Sequence, residues 1–190
     1  MCFRTVDSRS FLFEARMYME IKIERQWAMP NKFTFQIQPI ANLLKEELEG
    51  DLLVVDPFAG MQNKYATLTN DLNPDAQTDY HLDALDFLSN IKSNSADVVL
   101  YDPPYSPRQV AECYHSFGKK VTALDTSARW RKQHLDQIQR ILKQGGKAIC
   151  FGWNTNGVGK TRGFELKRIL IVAHGGSHND TLVTVEEKIC

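Results

Sequence analysis

Val98-Val99-Leu100-Tyr101-Asp102-Pro103-Pro104-Tyr105 joins an apolar run to a carboxylate, two prolines and an aromatic ring. Branched and aromatic side chains in succession read as a buried strand. Proline cannot donate to a sheet ladder, so the strand stops at Asp102 and the next residues stand at the C-terminal edge of the sheet. Ligands of open α/β sheets bind at that edge. Asp102 can accept a hydrogen bond from an amine, and a carbonyl of the stiff Pro103-Pro104 pair can accept a second. The Tyr105 ring can then stack on a flat partner. An aromatic amine is a weak nucleophile because its lone pair is spread into the ring, and two acceptors on its hydrogens help the nitrogen pyramidalise and attack. The device suits amino-group chemistry on a nucleobase. A plain strand end with a turn is the other reading, since Asp and Pro are ordinary turn formers.

The flanking sequence repeats the pattern. Leu52-Leu53-Val54-Val55-Asp56 is a second buried run, and Pro57-Phe58-Ala59-Gly60 after it has small residues that let the chain turn closely around a ligand. Ala66 to Asn70 is strand-like and ends at Asp71, where a carboxylate suits a ribose diol. Leu82 to Asp86 places Asp83 at a helix start. Pro39 opens a helix with Ile40, Leu43, Leu44 and Leu48 on one face, ended by Gly50. Leu135, Ile138, Ile141 and Leu142 mark a further stripe, stopped by Gly145-Gly146. After the strand Lys147 to Phe151, the segments Phe164–His174 and Thr181–Glu187 flank a polar, glycine-rich turn and predict a terminal hairpin.

In motif order over about residues 30 to 188, the chain resembles class I S-adenosylmethionine-dependent methyltransferases of the amino-methylating DNA type, in which Asp-Pro-Pro-Tyr is typical of adenine-N6 enzymes. The resemblance implies an α/β, Rossmann-like fold with a seven-stranded, mostly parallel sheet and a C-terminal antiparallel hairpin. It implies S-adenosylmethionine as cofactor. Asp56 with Phe58, Ala59 and Gly60 would face its methionine part, Asp71 its ribose and Asp83 its adenine amine; Thr34 and Phe35 would pack against it from the segment before the first sheet strand. Asp102, Pro103, Pro104 and Tyr105 would take the target base. The expected activity is site-relaxed adenine-N6 methylation of DNA, with base flipping on a duplex. RNA adenine-N6 and DNA cytosine-N4 methylation are the nearest alternatives, glutamine-amide methylation uses a related Asn-Pro-Pro-Tyr, and a binding protein that has kept the fold and lost turnover is a further reading. The chain departs from the family between Gly60 and Asp71, where ten residues leave no room for the usual long helix, and Met61-Gln62 stands where a second glycine is usual. A weak or partner-dependent cofactor affinity would follow.

Size and composition agree with one unit. A chain of 190 residues, 43% hydrophobic, can bury a single core, so residues 19–190 are expected to form one domain behind a tail at 1–18. Cys2, Cys113, Cys150 and Cys190 show no paired spacing, which argues for reduced thiols and a cytoplasmic protein. No apolar stretch is long enough to span a membrane. The net charge of zero hides an asymmetry: residues 45–102 hold twelve acids and three bases, residues 103–168 thirteen bases and four acids. Arg108, Lys119, Lys120, Arg129, Arg131, Lys132, Lys160 and Arg162 are therefore the candidates for a phosphate footprint on DNA, or on RNA, with solvated surface charge as the alternative. Loops Ser106–Gly118 and Gly152–Gly163 are the expected sources of any selectivity. Gly157-Val158-Gly159-Lys160-Thr161 resembles a phosphate-binding loop, but Asn154 replaces the required first glycine and a strand follows where a helix is needed. That loop, with Trp153 and Asn154, is expected to overhang the base pocket. His174 and His178 read as turn residues, and no metal is expected.

Overall fold

The structure is a computed structural model and describes residues 20–61 and 64–190, so the expected tail lies outside the described residues. Seven strands form one sheet: β1 (Lys22–Trp27), β2 (Val54–Asp56), β3 (Leu68–Thr69), β4 (Ala96–Tyr101), β5 (Leu142–Gly152), β6 (Phe164–Ala173) and β7 (Thr181–Lys188). Their order is β1-β6-β7-β5-β4-β2-β3. β3, β2, β4 and β5 run parallel, β1 is parallel to β6, and β7 is antiparallel to both β5 and β6. The seven-stranded sheet and its closing hairpin are as the sequence predicts. So is the short passage from β2 to β3, which holds no helix among the described residues.

A parallel strand covered on both faces needs apolar residues at every position, and the run Val98–Tyr101 supplies them. Val98 and Leu100 pack on one side with Ile40, Leu43 and Leu44 of α1 (Gln38–Glu47). Val99 and Tyr101 pack on the other, against Phe87 and Leu88 of α2 (Ala84–Asn90) and Leu135, Ile138 and Ile141 of α4 (Ala128–Ile141).

Three local expectations change. The strand read at Ala66–Asn70 contracts to two residues because it sits at the sheet's edge: the Asp79 carboxylate, not a further strand, takes the amide of Thr69 (2.8 Å). The segment Ser106–Gly118, expected as a loop, is mostly helix, α3 (Pro107–Ser116). Its signals are Ser106, whose hydroxyl accepts from Gln109 N (3.2 Å), Pro107 in the first turn, and Val110 and Tyr114 buried four residues apart. Gly145-Gly146 does not stop α4, which ends at Ile141. In the β4–β5 register Ala96 faces Leu142 and Val98 faces Lys147, so Lys143–Gly146 bulge out opposite Asp97 alone. A Cβ on Gly146 would lie 2.9 Å from the Lys143 carbonyl oxygen and 3.1 Å from that of Asp97, which only glycine tolerates.

Strand β1 has no counterpart in the sequence reading. Its residues are mostly exposed and show no buried alternation, so nothing in its pattern marks a strand. It is held by tertiary contacts: Arg168 of β6 bonds to Glu24 of β1 (2.6 Å) and to Glu46 (2.7 Å) and Glu47 (3.3 Å) of α1.

Candidate active site

The C-terminal ends of β2, β3 and β4 converge, bringing Asp56, Asp71 and Asp102 to one edge of the sheet. After Asp56 the chain turns back on its own carboxylate, Phe58 N donating to Asp56 Oδ1 (2.8 Å). Gly60 N donates to Asp71 Oδ2 (2.8 Å) and Asn73 N to Asp71 Oδ1 (2.8 Å). Asp71 therefore latches the Phe58–Gly60 turn onto the end of β3, with one lone pair on each oxygen already engaged. Gly60 has φ 62, left-handed backbone for which glycine is the natural choice. A buried asparagine completes the latch: Asn70 Nδ2 donates to the carbonyls of Pro57 (3.1 Å) and Leu82 (3.0 Å), and its Oδ1 accepts from Leu82 N (2.9 Å). Sequence reading passed over Asn70 because its burial, not its neighbours in the chain, marks it.

Asp56 is fully buried. Burial raises its pKa well above the usual carboxylate range against the Phe58 amide bond, and the nearby Asp102 and Asp71 charges raise it further. Asp102 is raised too, by burial first, partly offset by hydrogen bonds from the Tyr105 and Thr34 hydroxyls. Thr34, on the 3₁₀ turn Thr34–Gln36, thus reaches the motif directly, while Phe35 is buried against Phe151 with ring centroids 5.1 Å apart. Gln109 Oε1 accepts from Tyr105 N (2.7 Å) and fixes the backbone after the prolines.

The Pro103-Pro104-Tyr105 segment divides two cavities. One, of about 280 Å³, is lined by Thr34, Phe58, Asp71, Asp102 and the Pro103-Pro104-Tyr105 segment, and a smaller one of about 110 Å³ runs beside it along Thr34–Gln36 and Phe58–Met61. The other, of about 290 Å³, shares Pro103, Pro104 and Tyr105 and is closed by Trp130 and Arg131 of α4, by Phe151 of β5 and by Trp153 and Asn154 after it. Trp153 meets Tyr105 edge-on, centroids 5.6 Å apart. Trp153 and Asn154 thus overhang this second cavity as their loop predicts.

Asp83 lies elsewhere. Its Oδ1 caps α2 through Leu85 N (3.1 Å), and its Oδ2 holds the Tyr114 hydroxyl (2.8 Å) and pairs with Lys119. Burial would raise its pKa, but Lys119 and Tyr114 hold it below the usual range. The Tyr114 hydroxyl also accepts from Trp130 Nε1 (3.0 Å), so Asp83 anchors the wall of the second cavity through two bonds. Beside Trp130 lies His134, buried, its Nδ1 3.2 Å from the Tyr101 hydroxyl and its Nε2 without a partner among the described residues. Burial pushes its pKa down to about 4, so it packs as a neutral ring. Neither Trp130 nor His134 was legible as a site neighbour, since both sit in a strongly polar helix sequence.

The eight basic candidates do not form one set. Arg108 pairs with Glu112 (2.7 Å), Lys119 with Asp83, and Arg162 with Asp136 (2.8 Å). Arg131 turns inward on the buried side of α4, its guanidinium 5.5 Å from the Tyr101 ring and bonded to the Gly157 carbonyl (3.2 Å). Lys120, Arg129, Lys132 and Lys160 are exposed and make no ion pair with a described residue. The phosphate-loop look-alike is filled from within: Val158 N and Gly159 N (3.1 Å) both donate to the Glu186 carboxylate of β7. His174 is structural, its ring bonded to the Ala28 carbonyl (2.8 Å) and the Thr181 hydroxyl (2.9 Å). Among the described residues no cluster of His, Cys, Asp and Glu could hold a metal, and no helix is long and apolar enough to cross a membrane.

No protein-family model and no curated protein matches the chain. Solved structures do. The chain is similar to TrmN from Thermus thermophilus, with 17% identity and a TM-score of 0.53 over 80% of this chain and 49% of TrmN, so it spans about half the length of that protein. It is also similar to 1,6-didemethyltoxoflavin-N1-methyltransferase from Burkholderia thailandensis, solved with 1,6-didemethyltoxoflavin and S-adenosylhomocysteine bound, at 11% identity and a TM-score of 0.56 over 80% of this chain and 78% of that one. A SAM-dependent methyltransferase from Archaeoglobus fulgidus matches at 10% identity and a TM-score of 0.53, over 79% of this chain and 94% of that one. At such identities the likeness is one of fold, and the fold is the Rossmann-like one of class I methyltransferases.

Proposed function

We propose that this chain transfers the methyl group of S-adenosylmethionine to the exocyclic N6 amine of adenine in DNA, with little selectivity for surrounding sequence. The observation that carries the reading is the position of Pro103-Pro104-Tyr105 as the partition between two cavities, with Asp102 on the donor side of it. The cavity with Asp71, Asp102 and Phe58 has the donor set for a cationic, hydroxyl-bearing ligand: two carboxylates, an aromatic face and the backbone of a tight turn. Its size with the adjoining space falls near the lower end of small-ligand pockets. The other cavity, with proline, tyrosine and tryptophan walls, fits a flat base.

S-adenosylmethionine, when bound, supplies a methyl group on a sulfonium that departs as a neutral thioether. The protein supplies the rest. Asp71 can accept from ribose hydroxyls with its remaining lone pairs. Asp102 and a carbonyl of the proline pair hold the two amine hydrogens and aim the nitrogen's lone pair at the donor cavity. Because its pKa is raised, the Asp102 carboxylate is also a better proton acceptor than an ordinary aspartate and can take the proton the amine releases. Pro103 and Pro104 keep the acceptors in place without a conformational cost at each turnover. The test is incubation with methyl-labelled donor and DNA, or RNA, followed by identification of the modified nucleoside. N6-methyladenine in DNA is the expected product; label in RNA alone, in N4-methylcytosine, or in no nucleic acid would overturn the assignment.

Asp71→Ala is expected to weaken donor binding by about 2–3 kcal/mol, the loss of charge-assisted bonds plus release of the Gly60 turn, while nucleic-acid affinity stays unchanged. Calorimetry reads both, and equal donor affinity in variant and parent places the ribose elsewhere. For DNA, the exposed set replaces the inward-facing Arg131. Reversing Arg129 and Lys132, neighbours one turn apart on α4, together with Lys120 and Lys160, should weaken binding to all sequences alike and flatten its salt dependence by roughly one unit of slope for each phosphate no longer neutralised. Isotherms at several salt concentrations measure that slope; an unchanged one returns these residues to ordinary surface charge.

A further inference from the structure

Tyr105 and Trp153 also border a third cavity, of about 310 Å³, on the side of the β6–β7 turn. The same two rings line the target-base cavity, so they form a shared wall between two spaces. The third cavity is completed by Asn31 from the segment after β1 and by Ser177, His178 and Asn179 of the turn. Among the described residues no Asp, Glu, Lys or Arg lines it. Its polar groups are amides, hydroxyls and imidazoles, and several are uncommitted. The side chains of Ser177, His178 and Asn179 make no hydrogen bond to a described residue, and Asn31 engages its Oδ1 with Phe33 N (2.9 Å), leaving its amide hydrogens.

The turn that carries three of these residues is pinned at its base and open at its tip. His174 holds the Ala28 carbonyl and the Thr181 hydroxyl, and His174 N donates to Asp180 Oδ1 (3.3 Å). Gly175 and Gly176 at φ 69 and 60 then swing the tip over the cavity. No lysine or arginine lines the cavity to meet a phosphate, and a purely apolar ligand would strand the carboxamides. Aromatic walls beside free carboxamides fit a neutral, flat heterocycle with donors and acceptors on its edge, which is how asparagine reads a base.

We propose that this cavity receives the nucleobase next to the target adenine, on one side of it only, and that Asn179 and Asn31 read its edge. The inference rests on the nucleic-acid reading of the site. It moves sequence preference from the segments Ser106–Gly118 and Gly152–Gly163 to the β6–β7 turn. The wall of Tyr105 and Trp153 would separate the two bases, holding them unstacked.

Single-stranded oligonucleotides carrying one adenine between two randomised positions test this, with the methylated fraction sequenced for the parent, Asn179→Ala and Asn31→Ala. The parent is expected to prefer one base at one flank by roughly fivefold or more, and Asn179→Ala to reduce that preference below about twofold, while the donor Kd is unchanged. A parent that methylates the pool without preference at either flank, or a preference intact in both variants, overturns the flanking-base site and leaves the methyltransferase assignment standing. A parent that methylates nothing in the pool, or in a duplex of the same sequences, overturns that assignment and the flanking-base site with it.

Discussion

Replacing Asp102 by alanine is expected to lower single-turnover methyl transfer by roughly 10²–10³-fold, equivalent to about 3–4 kcal/mol of lost transition-state stabilisation. The carboxylate lines the donor-side cavity directly before the Pro103-Pro104-Tyr105 segment that both cavities share, and its negative charge gains most from the amine nitrogen as that nitrogen becomes positive. Donor affinity should change by less than about tenfold, since Asp102 borders that cavity without being its main polar anchor. Single-turnover rates and calorimetry separate the two effects. A variant that transfers methyl at the parental rate removes Asp102 from the chemistry.

The same residue sets the acid limb of the pH profile. Asp102 must be ionised to accept from the amine and take its proton, and burial raises its pKa above the ordinary aspartate value. Activity should therefore fall as pH drops through that raised pKa, with a midpoint above the value of about 4 typical of an exposed aspartate. In Asp102→Asn, where nothing ionises at this position, the residual activity should lose that limb.

Gly157→Ala is expected to cost about 2–4 kcal/mol of folding stability, a fall in Tm of roughly 5–15 °C for a chain of this size. Gly157 has φ 53, and a Cβ there would overlap the Glu186 carboxylate. The methyl group would displace the anion that satisfies the amides of Val158 and Gly159, leaving buried donors without a partner. Gly118→Ala is the control, because Gly118 also has positive φ, 68, but nothing within 4 Å of its added Cβ; it should cost only about 1 kcal/mol. Thermal unfolding of the two variants isolates the overlap, and equal losses would mean that the Glu186 cradle contributes nothing.

Much of this fold was legible in one dimension because its cues are local. The apolar run at Val98–Tyr101 and the prolines that end it mark a strand and its edge, since ladder donors and side-chain burial are properties of consecutive residues. The same holds for Asp56 before Pro57, for the helix that opens at Pro39, and for the hairpin around Gly175-Gly176. The order of Asp56, Asp71 and Asp102 at successive strand ends is likewise a sequence fact, because parallel strands bring their C-terminal ends to one side. What only the tertiary structure decided involves partners far apart in the chain. Strand β1 is placed by its ladder with β6, Lys22–Trp27 against residues 168–173, and by Arg168, 144 residues from Glu24, which bonds to it. Asp83, which the family resemblance assigns to the donor's adenine, has its carboxylate taken by Leu85, Tyr114 and Lys119. Arg131 and Arg129 look alike in sequence, yet one faces Tyr101 and the other solvent, because residues two apart on a helix lie about 200° apart. The glycine loop at 157–159 offers its amides to an anion as its composition suggests, and the anion is Glu186 of this same chain. A charge's role depends on which opposite charge the fold brings to it, and that pairing is written in no contiguous stretch of residues.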